Sequence, residues 1–259
     1  MKSTKGDPLI KLPKVPEVFK LQYDEPGREA VRKVLTDYKG TRAALDTFSL
    51  EEIERPVKGS NIYSRFALGN AYREITKENV RPINARESEI DLVNNFITVE
   101  PTSTYEDLGL IIYSKEGSNP KLWKNLREQV KSDFPKVKLS KPFIITGLMN
   151  VIRDSNYENG LRLDTGELTE VYNVPILAKA NGRTLNFDTN DPELQKTGFP
   201  SKLGKGNRTL YTSDNGVQGF DRNRDLGLVA RDDDLAVSYD YGRVHFVKNF
   251  SLNLEDLLK

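Results

Sequence analysis

The chain of 259 residues has no cysteine, one histidine, one tryptophan and two methionines. Without thiols it forms no disulfide, offers no thiolate nucleophile and cannot build a zinc–thiolate site, and its redox compartment stays open. A single imidazole, His245, gives a His-dependent triad or an imidazole-rich metal centre little to draw on, so neither an enzyme nor a bound cofactor is expected. Long hydrophobic runs are also missing. The apolar stretches in ITVEP, LGLIIY and PFIITGLM reach only about five residues, against the roughly 20 that a membrane-crossing helix needs. The first twenty residues, MKSTKGDPLIKLPKVPEVFK, contain no apolar core of a signal peptide. The expectation is a cytoplasmic protein, or one exported by a non-classical route. Excess charge is absent as well: 39 Lys and Arg face 38 Asp and Glu, which argues against nucleic acid or an anionic membrane as partner. What remains, 37% hydrophobic and 30% charged residues, suits a soluble globular chain able to bury a sizeable core.

Local patterns divide the chain. Residues 1–26 are spotted with Pro and Lys and read as an extended arm draped on the surface. Residues 27–140 read as a mostly helical region. GREAVRKVLTDY (27–38) spaces Val31, Val34, Leu35 and Tyr38 for one helical face. Ser49 and Glu52 form a capping-box pattern for a short helix ended by Pro56. Helices are expected over 60–75 and 86–97, and a strand over LGLIIYS (108–114). GSNPKLWKNLREQVKSDFP carries Asn119 as cap, Pro120 in the first turn, and Trp123, Leu126, Val130 and Phe134 on one face. From about 141 the composition turns to short strands, Gly, Asn and Asp, the mark of a loop-rich β-containing region. There KPFIITGLMNVI reads as strand then helix, and SLNLEDLLK at the end as a short amphipathic helix or a frayed end.

Three motifs fail on inspection. GFPSKLGKG (198–206) looks like a phosphate-binding loop, but its spacing is one residue too long and Gly206 stands where Ser or Thr must hold magnesium. Asp221, Asn223 and Asp225 begin an EF-hand-like loop, but Leu226 replaces the required Gly and Asp232 is too short to close it as Glu would. His245, in the alternating VHFV, reads as a partly exposed strand residue.

A further absence is local. Residues 206–247 contain no lysine and no glutamate, although the chain holds 22 and 19 of them. By composition about six or seven are due, and none should occur roughly once in a thousand such windows. Residues 217–231 alternate in the period of a strand. Phe220, Arg222, Arg224, Leu226, Leu228 and Ala230 form the packed set, continued by Leu235, Ala236, Ser238 and Val244. Fourteen positions look outward: Gly219, Asp221, Asn223, Asp225, Gly227, Val229, Arg231, Asp232, Asp233, Asp234, Val237, Tyr239, Asp240 and Tyr241. Each of these residues can be encoded by a codon ending in a pyrimidine. Lys, Glu, Gln, Met and Trp cannot. Codons AAC or AAT changed only at adenine reach all fourteen and never the missing five.

With NGLRLDTGELTEVYNVP, TGFPSKL, GNRTLYTSDNG and the LA-x-S-x-x-x-GRV pattern at 235–244, this residue-type pattern resembles the variable proteins of diversity-generating retroelements, especially those of small-genome archaea and candidate-phylum bacteria. The resemblance spans roughly 140–250. It implies an α+β chain with a C-type-lectin-like fold in its C-terminal part (141–259, variable region about 216–244) and an α-rich N-terminal extension. It also implies a non-enzymatic ligand-binding function, with the fourteen positions rewritten by adenine-specific reverse transcription. The calcium–sugar tripeptides of lectins are absent, so the resemblance carries no expectation of carbohydrate binding. Acidic and tyrosine-bearing, the outward set suits a basic or amide-rich protein surface, tyrosine giving rigid contact area at low entropic cost. Two competing readings are an interaction module whose Asp-rich loop binds Ca²⁺, and an enzyme on the formylglycine-generating-enzyme scaffold, which the lack of cysteine disfavours.

Overall fold

Residues 17–53, 55–94 and 104–248 are described by the computed structural model. In chain order they form β1 (Glu17–Lys20), α1 (Glu25–Asp37), α2 (Ile62–Thr76), β2 (Val80–Pro82), α3 (Ala85–Asn94), β3 (Glu106–Ile112), α4 (Pro120–Asp133), β4 (Phe143–Gly147), β5 (Asn150–Arg153), β6 (Leu161–Asp164) and β7 (Thr169–Asn173). There follow α5 (Pro175–Ala180), β8 (Leu185–Phe187), α6 (Leu194–Thr197), β9 (Arg208–Thr212), β10 (Val217–Arg222), β11 (Leu228–Asp232) and β12 (His245–Lys248). The chain is thus mixed α and β, built around one large sheet of seven strands in the order β7-β4-β3-β10-β11-β9-β8. Every pairing in it is antiparallel except β11 with β9. A smaller sheet, β1-β12-β2, joins the two ends of the described chain, and β5 pairs with β6.

Helix ends follow local chemistry. Asp24 caps α1 by accepting the Gly27 amide at 2.9 Å, and Ala30, Val31 and Val34 are buried along its inner face. Asn61 and Ser64 cap α2 reciprocally, which satisfies two of the amides a helix start leaves open. The expected helix at 120–133 is present, with Leu122, Leu126 and Val130 buried. Asn119 before it has left-handed backbone (φ 53°, ψ 53°) and makes no side-chain cap; its side-chain amide donates to the Asp233 carbonyl at 2.9 Å. Among the described residues no helix is long and apolar enough to cross a membrane.

Several expectations change. Residues 17–23 are not draped on the surface: Glu17–Lys20 pairs with β12, and Leu21 and Tyr23 are buried in the core. The capping-box segment at 49–53 forms no helix. The Ser49 amide donates to the Tyr23 hydroxyl at 3.0 Å, and Glu52 pairs with Lys58. The second half of KPFIITGLMNVI is the strand β5, turned off β4 at Gly147, whose φ of 78° suits glycine. No boundary of the large sheet falls at 140, since β3 lies between β4 and β10, and one hydrophobic cluster runs from Leu21 to Val247. Helix and sheet therefore share one core. SLNLEDLLK and residues 1–16 lie outside the described residues.

Candidate functional site

The LA-x-S-x-x-x-GRV segment grips the start of α2. The Ala236 carbonyl accepts the Asn61 side-chain amide at 3.0 Å, and the Ser238 hydroxyl accepts the Ser60 amide at 3.0 Å. The Gly242 carbonyl accepts the Gly59 amide at 3.0 Å, while Leu235 and Val244 are buried. Gly242 has to be glycine because a Cβ there would lie 2.7 Å from the Tyr105 ring and 2.8 Å from the Ser60 nitrogen. The named letters of the motif bond to the body of the protein. The letters between them, Val237, Tyr239, Asp240 and Tyr241, are exposed or half-buried.

Tyr239 and Tyr241 stack face to face, with ring centroids 5.1 Å apart and planes 5° from parallel. Tyr105, just before β3, meets both edge-on at 6.0 and 5.4 Å, the geometry that ring quadrupoles favour. Its hydroxyl donates to the Ser60 carbonyl and accepts the Tyr239 amide. Arg224 lies over the Tyr241 ring at 4.7 Å, and Arg231 over Tyr211 at 4.6 Å.

Beside the tyrosines runs a row of carboxyls. Asp221 on β10 faces Asp107 on β3 in register, so both side chains leave the same side of the sheet. Asp232 on β11 pairs with Gly219, two residues before Asp221, across a register shift. Ser60 donates its hydroxyl to Asp107. Burial pushes the Asp107 carboxyl up to about 6, and it pushes Asp221 well above the ordinary carboxylate range, with Asp107 and Asp232 adding to it. Asp232 is raised too, first by burial. A concavity of about 460 Å³ opens between Asn119, Glu158, Asn159, Asp233, Asp234 and Leu235.

All twelve non-glycine candidates are solvent-accessible. Asp225, Arg231, Asp233, Asp234, Tyr239 and Asp240 are exposed, and Asp221, Asn223, Val229, Asp232, Val237 and Tyr241 half-buried. Gly219 and Gly227 are buried. At Gly219 an added Cβ would make ordinary contacts of 3.5 Å and more, whereas at Gly227 it would stand 3.0 Å from the Asn223 side chain. Between them Phe220, Arg222, Leu228 and Ala230 are buried. Four of the packed set depart from expectation. Ala236 and Ser238 are half-buried; Arg224 is exposed, and Leu226 is half-buried with φ of 61°, because the last two sit in the β10–β11 turn and not in a strand. In that turn Asn223 Oδ1 accepts the amides of Asp225 and Gly227 at 3.1 and 2.8 Å. The D-x-N-x-D pattern thus closes its own turn, and among the described residues no three His, Cys, Asp or Glu are grouped to hold a metal.

His245 also departs from expectation. It is buried, with Nδ1 2.8 Å from Glu106 Oε1. It belongs to an inner set of charges around α3 that local pattern does not reveal: Arg208 grips Glu89 with two contacts of 2.6 and 2.7 Å, and Arg81 grips Glu87 at 2.7 and 2.8 Å. The outer surface likewise includes Tyr105 and Asp107, which sequence reasoning missed because they lie more than a hundred residues before their neighbours. No protein-family model, curated protein or solved structure matches this chain.

Proposed function

We propose that the chain is a non-enzymatic binding protein of the diversity-generating-retroelement kind, with a C-type-lectin-like fold, whose fourteen positions are rewritten to recognise varied partners. The observation that carries this reading is the match between strand period and burial. The fourteen outward positions, all of types a pyrimidine-ended codon can write, are accessible wherever they bear a side chain, and the residues interleaved with them in the strands are buried. Substitution on such a solvated face changes stability by only about 0.5 kcal/mol, so a binding surface can vary while the fold persists. At Gly219 a Cβ is accommodated at ordinary contact distances.

The surface encoded in this chain is acidic and carries a stacked tyrosine pair, which suits a basic protein surface, with Tyr239 and Tyr241 as energetic anchors. The coding sequence tests the reading. Pyrimidine-ended codons at the fourteen positions, and differences confined to them in sibling or template copies, are expected. Codons ending in A or G at several of them would sink it.

A further inference from the structure

The balanced total of charge hides a local segregation. Residues 120–141 hold six Lys and one Arg against one Glu and one Asp, in a chain whose net charge is +1. Lys124 and Lys131 lie on the outward side of α4, and Lys136, Lys138 and Lys141 on the segment that follows it; all five are exposed. The described lysines that find a carboxylate are others, Lys33, Lys58, Lys115, Lys196 and Lys248, and among the described residues none of these five forms an ion pair. Lys121 is set apart, its ammonium donating to the Asn156 carbonyl at 3.0 Å. Of the two acids in the stretch, Asp133 accepts the Thr165 hydroxyl at 2.7 Å, which leaves Glu128.

The helix and the segment after it are held together. Arg127 lies over the Trp123 ring at 4.5 Å and donates to the Leu139 carbonyl at 2.9 Å, which ties the returning segment to α4. Asn173 on β7 fixes the same segment, accepting the Lys138 amide and donating to the Lys138 carbonyl, both at 2.9 Å. Phe134, Val137 and Leu139 pack against the core, so the lysines between them are left to the solvent. The backbone beneath these charges is therefore set before any partner arrives, which lowers the ordering cost of binding.

We propose that this face binds the phosphate backbone of a duplex nucleic acid without reading its sequence. Protein interfaces are depleted of Lys and anchored by aromatic residues and Arg, whereas here the aromatic side chains, Trp123 and Phe134, are half-buried, and Trp123 Nε1 is occupied by the Tyr113 carbonyl. A single strand is gripped by exposed rings on which its bases stack, and this stretch exposes none. A helix lying in a membrane surface turns its apolar side outward, but Leu122, Leu126 and Val130 are buried and none of the exposed large hydrophobics falls between 120 and 141. A phosphate backbone asks only for cations on flexible stems, and Lys124 and Lys131 offer two of them about 10 Å apart along the helix axis. The face shares no residue with the fourteen outward positions, so it does not depend on how those are encoded.

The test is the fluorescence anisotropy of labelled duplexes of about 20 base pairs, DNA and RNA, each in two unrelated sequences, titrated with the full chain between about 25 and 200 mM KCl. A Kd no weaker than about 100 μM is expected at the lowest salt for at least one duplex type, equal within about threefold for its two sequences, with a log–log salt slope of about −4 to −5. Lys131→Gln/Lys136→Gln/Lys138→Gln/Lys141→Gln should lower affinity at least about tenfold and flatten the slope by about 3. The charge-matched Lys39→Gln/Lys179→Gln/Lys202→Gln/Lys205→Gln, also at exposed positions, should stay within about threefold of the parent. Circular dichroism checks that both variants fold. No binding of either duplex type, equal losses in the two variants, an unchanged slope, a preference of more than about tenfold for one sequence, or tighter binding to phosphatidylserine vesicles than to duplex would each overturn the proposal.

Discussion

Glu106 and Asp107 are consecutive residues of β3, both buried, and their carboxyls are pushed in opposite directions. Glu106 looks toward α3 and β12. Burial alone would raise it, but His245 at 2.8 Å, with Arg222 and Arg65, holds it below the ordinary range. Asp107 looks the other way, toward the tyrosines, where burial wins and carries it up to about 6. One strand thus separates an inner face where charges are matched from an outer face where they are not. Arg208–Glu89 and Arg81–Glu87–Glu170 continue the inner matching. Taking charges out of water is repaid only when geometry and hydrogen bonding are good, a condition that Arg208–Glu89 and Arg81–Glu87 meet, while Glu106 Oε2 and His245 Nε2 take no hydrogen bond among the described residues. Asp107, Asp221 and Asp232 form no ion pair with a described Lys or Arg.

The sharpest way to break this comparison is to strip an inner charge of its mate. Arg208→Ala leaves Glu89 buried and unpaired. A loss of about 3–5 kcal/mol is expected in urea unfolding, most of it recovered by combining Arg208→Met with Glu89→Leu. A small loss in the single variant would mean that the inner pairs are not what fixes this face.

Next in size is a contrast between two glycines. Gly242→Ala drives a methyl into Tyr105 and the Ser60 amide and should cost about 1–3 kcal/mol. Gly219→Ala, where there is room, should stay within about 0.5 kcal/mol. Equal costs would erase the distinction between scaffold and variable positions.

The two faces also differ in the sign of their pH dependence. Glu106 has a lowered folded-state pKa, so its contribution is present above the ordinary carboxylate range and lost as pH falls through the folded value. Asp107 is raised from 3.8 to about 6, so its contribution is full below 3.8 and lost as pH climbs through about 6. Asp221 follows Asp107 in direction. Asp221→Asn should therefore stabilise the protein at pH 7.5, by on the order of 1 kcal/mol or about 2–4 °C in Tm, and leave it unchanged near pH 3.5. Melting curves of both proteins across that range check the sign.

The smallest expected effect is that of Tyr239→Ala. Half of this side chain is already in water, so unfolding should shift by only about 0.5 kcal/mol. A large loss of stability would make the tyrosine stack part of the scaffold.

Helical periodicity in the sequence locates α1, α2, α3 and α4 to within a few residues, because an amphipathic stripe and its caps are local properties. It fails at 49–53, where the Tyr23 hydroxyl claims the amide of the presumed cap, and at 150–153, where the apolar spacing is equally compatible with a strand on β6. Parity picks out Phe220, Leu228 and Ala230 as buried and Asp221, Val229 and Arg231 as accessible. It misplaces Arg224 and Leu226, which lie in a turn where period two no longer applies. His245 reads as a surface residue because a strand pattern does not say that Glu106, 139 residues earlier, waits behind it.

Composition and period by themselves settled that this chain folds on mixed helices and strands without thiol chemistry, and that residues 219–222 and 228–231 alternate between a packed and an accessible side. These are properties of neighbours in sequence, set by the geometry of the backbone. Only the tertiary structure brought Tyr105 to Tyr239 and Tyr241, Asp107 to Asp221, and Ser60 to Ser238. It alone decided that the inner carboxyl of β3 would be matched and the outer one left open, because strand pairing and burial join residues more than a hundred positions apart, and no local pattern encodes which charges will meet.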